Sequence, residues 1–514
     1  MNKLISKILV MATFIVASPL ISCGNEDDYT SSGENKSSEQ VDSLKPTAGN
    51  DLYGLIKDSD GKGIEGVVVT DGYNCVTTDG TGFYQMKRDE TAKFVSYSIP
   101  SAYKANSSKF YKALSADIKR YDFSLESVGS EENHFYLLVM ADPQVRSKVS
   151  FSRFQNETMS NIRSFLSKSD LPVLGLSMGD DVHEGCSQFE EQMQKVMNGT
   201  SMPVFSAVGN HDYFIQNGDS TVPRKCDVYE QYFGPTNYSF NRGNVHFIAL
   251  NNVEYSDGVT YKGAFSDAQM AWMKQDLSYV PKSKLIVVYY HIPIRDDADY
   301  KNRETMLNLL ADYSNKILMC GHTHYMRNYV TNAPIQVEER IHAAVCGAYW
   351  NSYINGDGTP TGYSVYEING NEIVDNWYRS VKNPQNYQIR LLHGNAVFGG
   401  TYGTYTYGLA SDYIVANVWN WDYTWKVYCY EDGVYSGEMT SSLSKFKTDA
   451  WAQGYHIGVL QRAKADFSPY TMHDFIYELK NPKAKVKVVA VDRYGNEYSQ
   501  DTYTTDFSEA MGLN

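Results

Sequence analysis

The segment Pro203-Val204-Phe205-Ser206-Ala207-Val208-Gly209-Asn210-His211-Asp212 decides how this chain is read. Its first six residues form a short apolar run of the kind that makes a buried strand. The next four place an amide, an imidazole and a carboxylate side by side where that strand ends. An amide oxygen binds a metal, an imidazole binds a metal or carries a proton, and a carboxylate orients an imidazole.

Four further apolar runs end in the same way. Met140 leads into Asp142-Pro143-Gln144 and Met178 into Gly179-Asp180-Asp181. Tyr290 leads into His291-Ile292-Pro293, and Cys320 into Gly321-His322-Thr323-His324. In open α/β sheets, sites form just beyond the carboxyl ends of strands. Convergence of these ends gives a mixed oxygen and nitrogen set suited to two divalent transition metals. Glycine before Asp180, Asn210 and His322 is expected to allow the sharp turn that aims each ligand inward. Taken singly, Gly-Asp is a common turn and a lone histidine after a strand is an ordinary polar residue. Five such clusters at five strand ends are not incidental.

Around this core the chain divides into three folded segments. Residues 129–385 alternate apolar runs with amphipathic stretches, the signature of an α/β domain. The runs are His134 to Met140, Leu171 to Met178, Pro203 to Val208, Val245 to Leu250, Leu285 to Tyr290 and Ile317 to Cys320. Ser266-Asp267-Ala268-Gln269 opens a helix with a capping-box pattern, and Met270, Trp272, Met273 and Leu277 form its apolar face. Residues 51–128 read as all-β, with turns at Asp58-Ser59-Asp60-Gly61, Asp71-Gly72 and Asp79-Gly80. Residues 386–514 return to β character, from Tyr413 to Trp421, Trp425 to Tyr430 and Val486 to Val491.

At 514 residues the chain exceeds one ordinary core, and its net charge of -14 argues against nucleic acid as a partner. Residues 1–22 have the form of a leader: Lys3 and Lys7 precede an apolar stretch too short to span a membrane. Leu20-Ile21-Ser22-Cys23-Gly24 resembles a bacterial lipoprotein signal, which predicts lipid on Cys23 and an outer-membrane-anchored, exported protein. Asn25-Glu26-Asp27-Asp28 resembles a surface-export signal, and residues 23–50 read as a flexible tether. Of the other six cysteines, none has CxxC spacing, so a thiolate zinc site is not expected. Cys186 and Cys226 lie in polar segments and are candidates to pair, whereas Cys320 and Cys346 sit in apolar runs as buried thiols.

The five motifs, in this order, resemble the calcineurin-like metallophosphoesterase superfamily. The flanking β domains resemble a three-domain bacterial subgroup with an N-terminal transthyretin-like sandwich. That resemblance implies a two-sheet β-sandwich core flanked by helices. It implies one metal on Asp142, Gln144, Asp180 and His324, with Asp180 bridging to a second on Asn210, His291 and His322. The metals would be two divalent or trivalent ions, Mn, Fe or Zn. It makes His211 the catalytic histidine, with Asp212 behind it to fix its tautomer. Gln144 departs from the common pattern, which has histidine there; an amide oxygen is a harder and weaker ligand than imidazole.

The implied activity is hydrolysis of an extracellular phosphate monoester or diester, on a small molecule or a glycan, by a hydroxide bridging the metals. Arg146, His183, Arg242, Arg295, Tyr349 and Trp350 lie near the motifs and are candidates to line the substrate cleft. The alternative is a surface glycan-binding lipoprotein whose phosphoesterase core is secondary or inactive, a reading motivated by its β domains and many tyrosines.

Overall fold

Phe135, Leu137 and Val139 of the strand His134–Met140 pack into one apolar layer, and Leu138 and Met140 into another. Alternation of side chains along a strand sends each set to an opposite face. Both sets are apolar, so the strand is buried on both sides, which is why it reads as a continuous apolar run. The computed structural model describes residues 44–295, 297 and 299–513. The expected leader, the lipidated Cys23 and most of the tether lie outside the described residues. Among the described residues no helix is long and apolar enough to cross a membrane.

The central domain is built on two sheets. The first has five strands, in the order Val204–Ser206, Val173–Ser177, His134–Met140, Gly362–Asn369 and Glu372–Ser380. The second has six, in the order Tyr238–Arg242, Val245–Ala249, Leu285–Tyr289, Lys316–Cys320, Glu338–Ile341 and Arg327–Val330. The site-bearing strands run parallel within each sheet. Phe247, Ala249, Val287, Tyr289 and Met319 face the first sheet across a shared core. Ile248, Ile286, Val288 and Leu318 face outward onto the helices Asp267–Ser278 and Arg303–Leu309. The result is the expected two-sheet core with helices outside. Burying each such aliphatic side chain contributes about 1.5–3 kcal/mol.

Register levels the strand ends. Met140 is paired with Ser177, and Ser177 with Ser206. Ala249 is paired with Tyr289, and Tyr289 with Met319. The five motifs therefore leave the two sheets at one edge. The helix Asp267–Ser278 starts where its capping box requires. Gln269 N–H donates to Ser266 Oγ at 3.1 Å, and Ser266 N–H to Gln269 Oε1 at 2.6 Å. Its buried face is Met270, Trp272, Met273 and Leu277, joined by Asp276.

The outer domains are β structures fused to this core. In the N-terminal domain, Leu52–Asp58 pairs with Phe83–Met86 and Phe123–Leu125, and a four-stranded sheet lies beside that group. Phe110 packs on Phe205 and Tyr238, and Trp272 Nε1–H donates to Thr70 Oγ1 at 3.1 Å. The C-terminal region forms two four-stranded sheets around Leu391, Val418, Val427 and Val488. It is tied to the central domain by charge: Asp422 meets buried Arg340 at 3.1 Å, and Arg493 meets Glu338 at 2.7 Å.

The expected Cys186–Cys226 pair does not form. All six cysteines among the described residues are free thiols. Cys226 is buried in the layer beneath Tyr213 and Tyr229, while Cys186 packs at the margin of the opposite helical layer and donates to Arg146 O. Cys320 and Cys346 are buried, as their apolar surroundings predict.

Candidate metal centre

The five strand ends bring their ligand atoms into one nest. His291 Nε2 lies 2.9 Å from Asn210 Oδ1, 3.2 Å from His322 Nδ1 and 3.2 Å from Asp180 Oδ2. His322 Nδ1 is itself 2.9 Å from Asn210 Oδ1. His291 Nδ1–H is directed at Met178 O at 2.8 Å, a bond that leaves Nε2 as the bare lone pair. Four lone-pair donors thus point at one volume. Lone pairs so placed repel unless a proton or a cation sits among them, so the donor set fits a metal ion.

A second group shares Asp180. One ligand atom each from Asp142, Asp180 and His324 lies within 4.8 Å of the others, as does one each from Asp180, His291 and His322. His324 Nε2 is 3.5 Å from Asp142 Oδ1, and Gln144 Nε2 is 3.0 Å from Asp180 Oδ2. Gln144 Oε1 is buried with no partner. Turning that amide would set its oxygen beside the Asp180 carboxylate, an arrangement that needs a cation between them. Asp180 is the common member of the two groups.

The local backbone is strained into this shape. Asp142, Gln144, Asp180, His322 and His324 all have positive φ, between 40° and 70°. Such conformations cost about 1–3 kcal/mol each and persist where tertiary structure imposes them. The glycines act differently from the expectation of three sharp turns. Gly179 has φ of +88°, but Gly209 is extended and is needed for close approach. A Cβ on Gly209 would lie 2.2 Å from Asp180 N and Oδ1.

Asp212 is a correction. It does not orient the His211 ring. Its Oδ2 accepts the backbone N–H of Gly209 at 2.8 Å and of Asp180 at 2.9 Å, and its Oδ1 that of Val182 at 3.2 Å. It is fully buried and clasps two metal loops together. The His211 ring instead lies nearly parallel to His183, centroids 4.8 Å apart, and its Nε2 is 4.0 Å from Asp180 Oδ2. His211 N–H donates to Asp180 Oδ1 at 2.7 Å.

Electrostatics follow from this crowding. Burial works to raise the Asp180 carboxyl, but His291 and His211 outweigh it and hold it well below the usual range. Burial works to lower His291, and Asp180 reverses that, so its pKa is raised. Burial and the charge of His291 push His322 down to about 3. Behind the site, burial lifts Asp181 to about 7 despite the Ser177 hydroxyl, which donates to it at 2.6 Å.

Three family models match the chain. Residues 136–326 match the calcineurin-like phosphoesterase domain, 50–128 the N-terminal domain of calcineurin-like phosphoesterases and 339–498 their C-terminal domain. The chain belongs to the calcineurin-like phosphoesterase family. An uncharacterized protein of Mycobacterium tuberculosis is 30% identical over 171 residues, which are 27% of this chain and 32% of that protein. A probable glycerophosphodiester phosphodiesterase of Arcobacter nitrofigilis is 21% identical over 36% of this chain and 68% of its own length. A 3',5'-cyclic-nucleotide phosphodiesterase of a Nostoc species is 25% identical over 29% of this chain and 54% of its own length. The chain spans about a third of the length of the first curated relatives it matches.

Among calcineurin-like phosphoesterase features, the residues expected to line the cleft divide. His183 stacks on His211, and Tyr349 lies 5.2 Å from the His324 ring. Arg146 is exposed beside the metal loop, and its positive charge helps to depress His183. Arg295 is held by its neighbours: its backbone N–H donates to Glu339 at 2.9 Å and its guanidinium meets the Tyr325 hydroxyl. Trp350 braces the loop instead, donating Nε1–H to Pro143 O at 2.8 Å and packing on Phe154. Arg242 sits at the opposite end of its strand, paired with Glu132 at 2.7 Å, and is no part of the cleft.

Three supporting residues escaped the sequence reading. Asn252 Oδ1 accepts the N–H of His291 and of Ile292, holding that loop. Its signal was present: Asn251-Asn252 follow the apolar run Val245 to Leu250 as the other motifs follow theirs. Tyr255 OH donates to Asn210 O at 3.0 Å. Cys346 Sγ lies 3.9 Å from His324 Nδ1, behind the ligand face. No motif marks either.

Proposed function

We propose that the protein is a metal-dependent phosphoric ester hydrolase acting on an exported or extracellular phosphate monoester or diester. The observation that carries this is Asp180 shared between two groups of converging lone pairs. The two relatives named as phosphodiesterases support the same reaction class. The lipoprotein-like segment at Cys23 supports an anchored location facing the cell surface.

In this reading Asp142, Gln144, Asp180 and His324 hold one cation, and Asp180, Asn210, His291 and His322 the other. Bound there, two cations withdraw charge from the phosphoryl oxygens and make water acidic enough to serve as nucleophile near neutral pH. Every other task falls to the chain. The Met178 carbonyl fixes the His291 tautomer, and the Asp212 clasp holds Asp180 and Asn210 at the spacing of a shared ligand. His211 keeps its ring nitrogens outside the lone-pair nest and donates a proton to the leaving oxygen. His183, stacked flat on it, keeps that ring from rotating away.

Phenyl phosphate and bis(phenyl) phosphate, assayed with Mn²⁺, Zn²⁺ or Fe after chelation, test the reading. Turnover of at least one ester, lost on chelation and restored by metal, is expected. No turnover of either ester by protein holding two metals would refute it and favour the binding-protein alternative.

A further inference from the structure

Two tyrosines lie against histidines of the two different groups in the metal nest. Tyr261, on the hairpin Val253–Tyr255 and Tyr261–Gly263, meets the His322 ring edge-on, centroids 6.0 Å apart. Tyr349 meets His324, a ligand of the other group, at 5.2 Å. Each therefore flanks a different metal position. Neither is core: Tyr261 is 37% exposed and Tyr349 half-buried.

Both rings are held in place by dedicated packing. Tyr261 lies 5.2 Å from Tyr255, whose hydroxyl is bonded to Asn210 O and whose face is covered by Arg224 at 5.1 Å. Tyr349 and Trp350 are consecutive left-handed residues, with φ of 50° and 67°. Trp350 N–H donates to Cys346 O at 2.7 Å and its indole to Pro143 O, so this strained turn is clamped. Strain of this kind is kept where it positions a functional group. The far side of Tyr349 rests edge-on against Phe467, which is buried and comes from the C-terminal region.

We propose that Tyr261 and Tyr349, backed by Phe467, form an aromatic slot over the metal nest that selects phosphoesters whose alcohol carries an aromatic ring over those with a linear alkyl chain. The inference rests on the proposed phosphoesterase reading. It gives the C-terminal region a part in substrate choice. A ring lying between two phenol faces gains the offset-stacked or edge-on contacts that an alkyl chain lacks.

The test is calorimetric titration of the metal-loaded full chain with 2-phenylethylphosphonate and with n-hexylphosphonate, which bind without being hydrolysed. The ring-bearing ligand is expected to bind about five- to tenfold more tightly, the scale of one or two aromatic pairs. Tyr349→Ala and Tyr261→Ala should each shrink that ratio, Phe467→Ala should shrink it less, and Tyr349→Phe should keep it, all with metal content retained. Equal affinities in the wild type, or a ratio unchanged in both Tyr349→Ala and Tyr261→Ala, would overturn the slot. Preference for the ring together with no ester hydrolysis would refute the phosphoesterase reading and leave the slot standing.

Discussion

The carboxylate of Asp212 accepts the backbone N–H of Asp180 at 2.9 Å, across 32 positions of sequence. The residue beside His211 thereby serves the Asp180 and Gly209 backbone and not the histidine ring. Its other oxygen and its third partner complete a clasp of three backbone donors.

Asp212→Ala leaves those three donors buried and unsatisfied, at a cost of about 1–3 kcal/mol each. Loss of stability and loss of bound metal are expected together, read by thermal melting and by metal content per chain. A role in fixing the His211 tautomer would instead leave both intact and change only the rate.

His211→Ala should behave in the opposite way. Its side chain is outside both ligand groups, so metal content is expected to stay at wild-type level. Removing a general acid lowers turnover by about 10²–10⁴. The loss should be larger for alkyl than for aryl leaving groups, measured as kcat on a matched pair of esters. Full activity on the alkyl ester would exclude the acid role.

Gln144→His replaces a buried amide by imidazole at a position where one amide oxygen already lacks a partner. The stronger nitrogen ligand should slow loss of metal to a chelator, followed by mass spectrometry of the protein over time. Faster loss would show that Gln144 is not a ligand.

Asp474 tests the electrostatics of the C-terminal region, far in sequence from the metal loops. It is fully buried, and burial first and Asp449 second push its carboxyl well above the usual range. The folded protein then keeps a proton that the unfolded chain releases near pH 4. This contribution to stability is complete below that pH and is lost as pH rises through the raised folded value. Asp474→Asn mimics the neutral acid while keeping an oxygen for Asn417, which donates to Asp474 at 2.8 Å. The variant should melt higher than the wild type at pH 8, by about 2 °C or more, and the gap should close toward pH 4. Parallel melting curves across that range would contradict the assignment.

The converging residues were legible because each follows a doubly buried parallel strand, which announces itself as an unbroken apolar run. What the sequence concealed was direction. Adjacency suggested that Asp212 serves His211, yet the short helical turn at Asn210–Asp212 points the two side chains apart, one onto the His183 ring and one onto buried backbone N–H groups. Cleft residues were harder still. Arg242 looked close to the motifs along the chain, but antiparallel pairing with Val245 carries it to the far end of the sheet. Tyr261 and Phe467 reach the site only through a hairpin and a distant domain, which no local spacing records.

Native mass spectrometry of the full chain, titrated with Mn²⁺ or Zn²⁺ beside Asp180→Ala, addresses the shared ligand directly. Two ions per wild-type chain are expected, and Asp180→Ala should not reach two under the same loading. A wild type that never exceeds one ion, or an Asp180→Ala protein that still holds two, would contradict a centre built around that carboxylate.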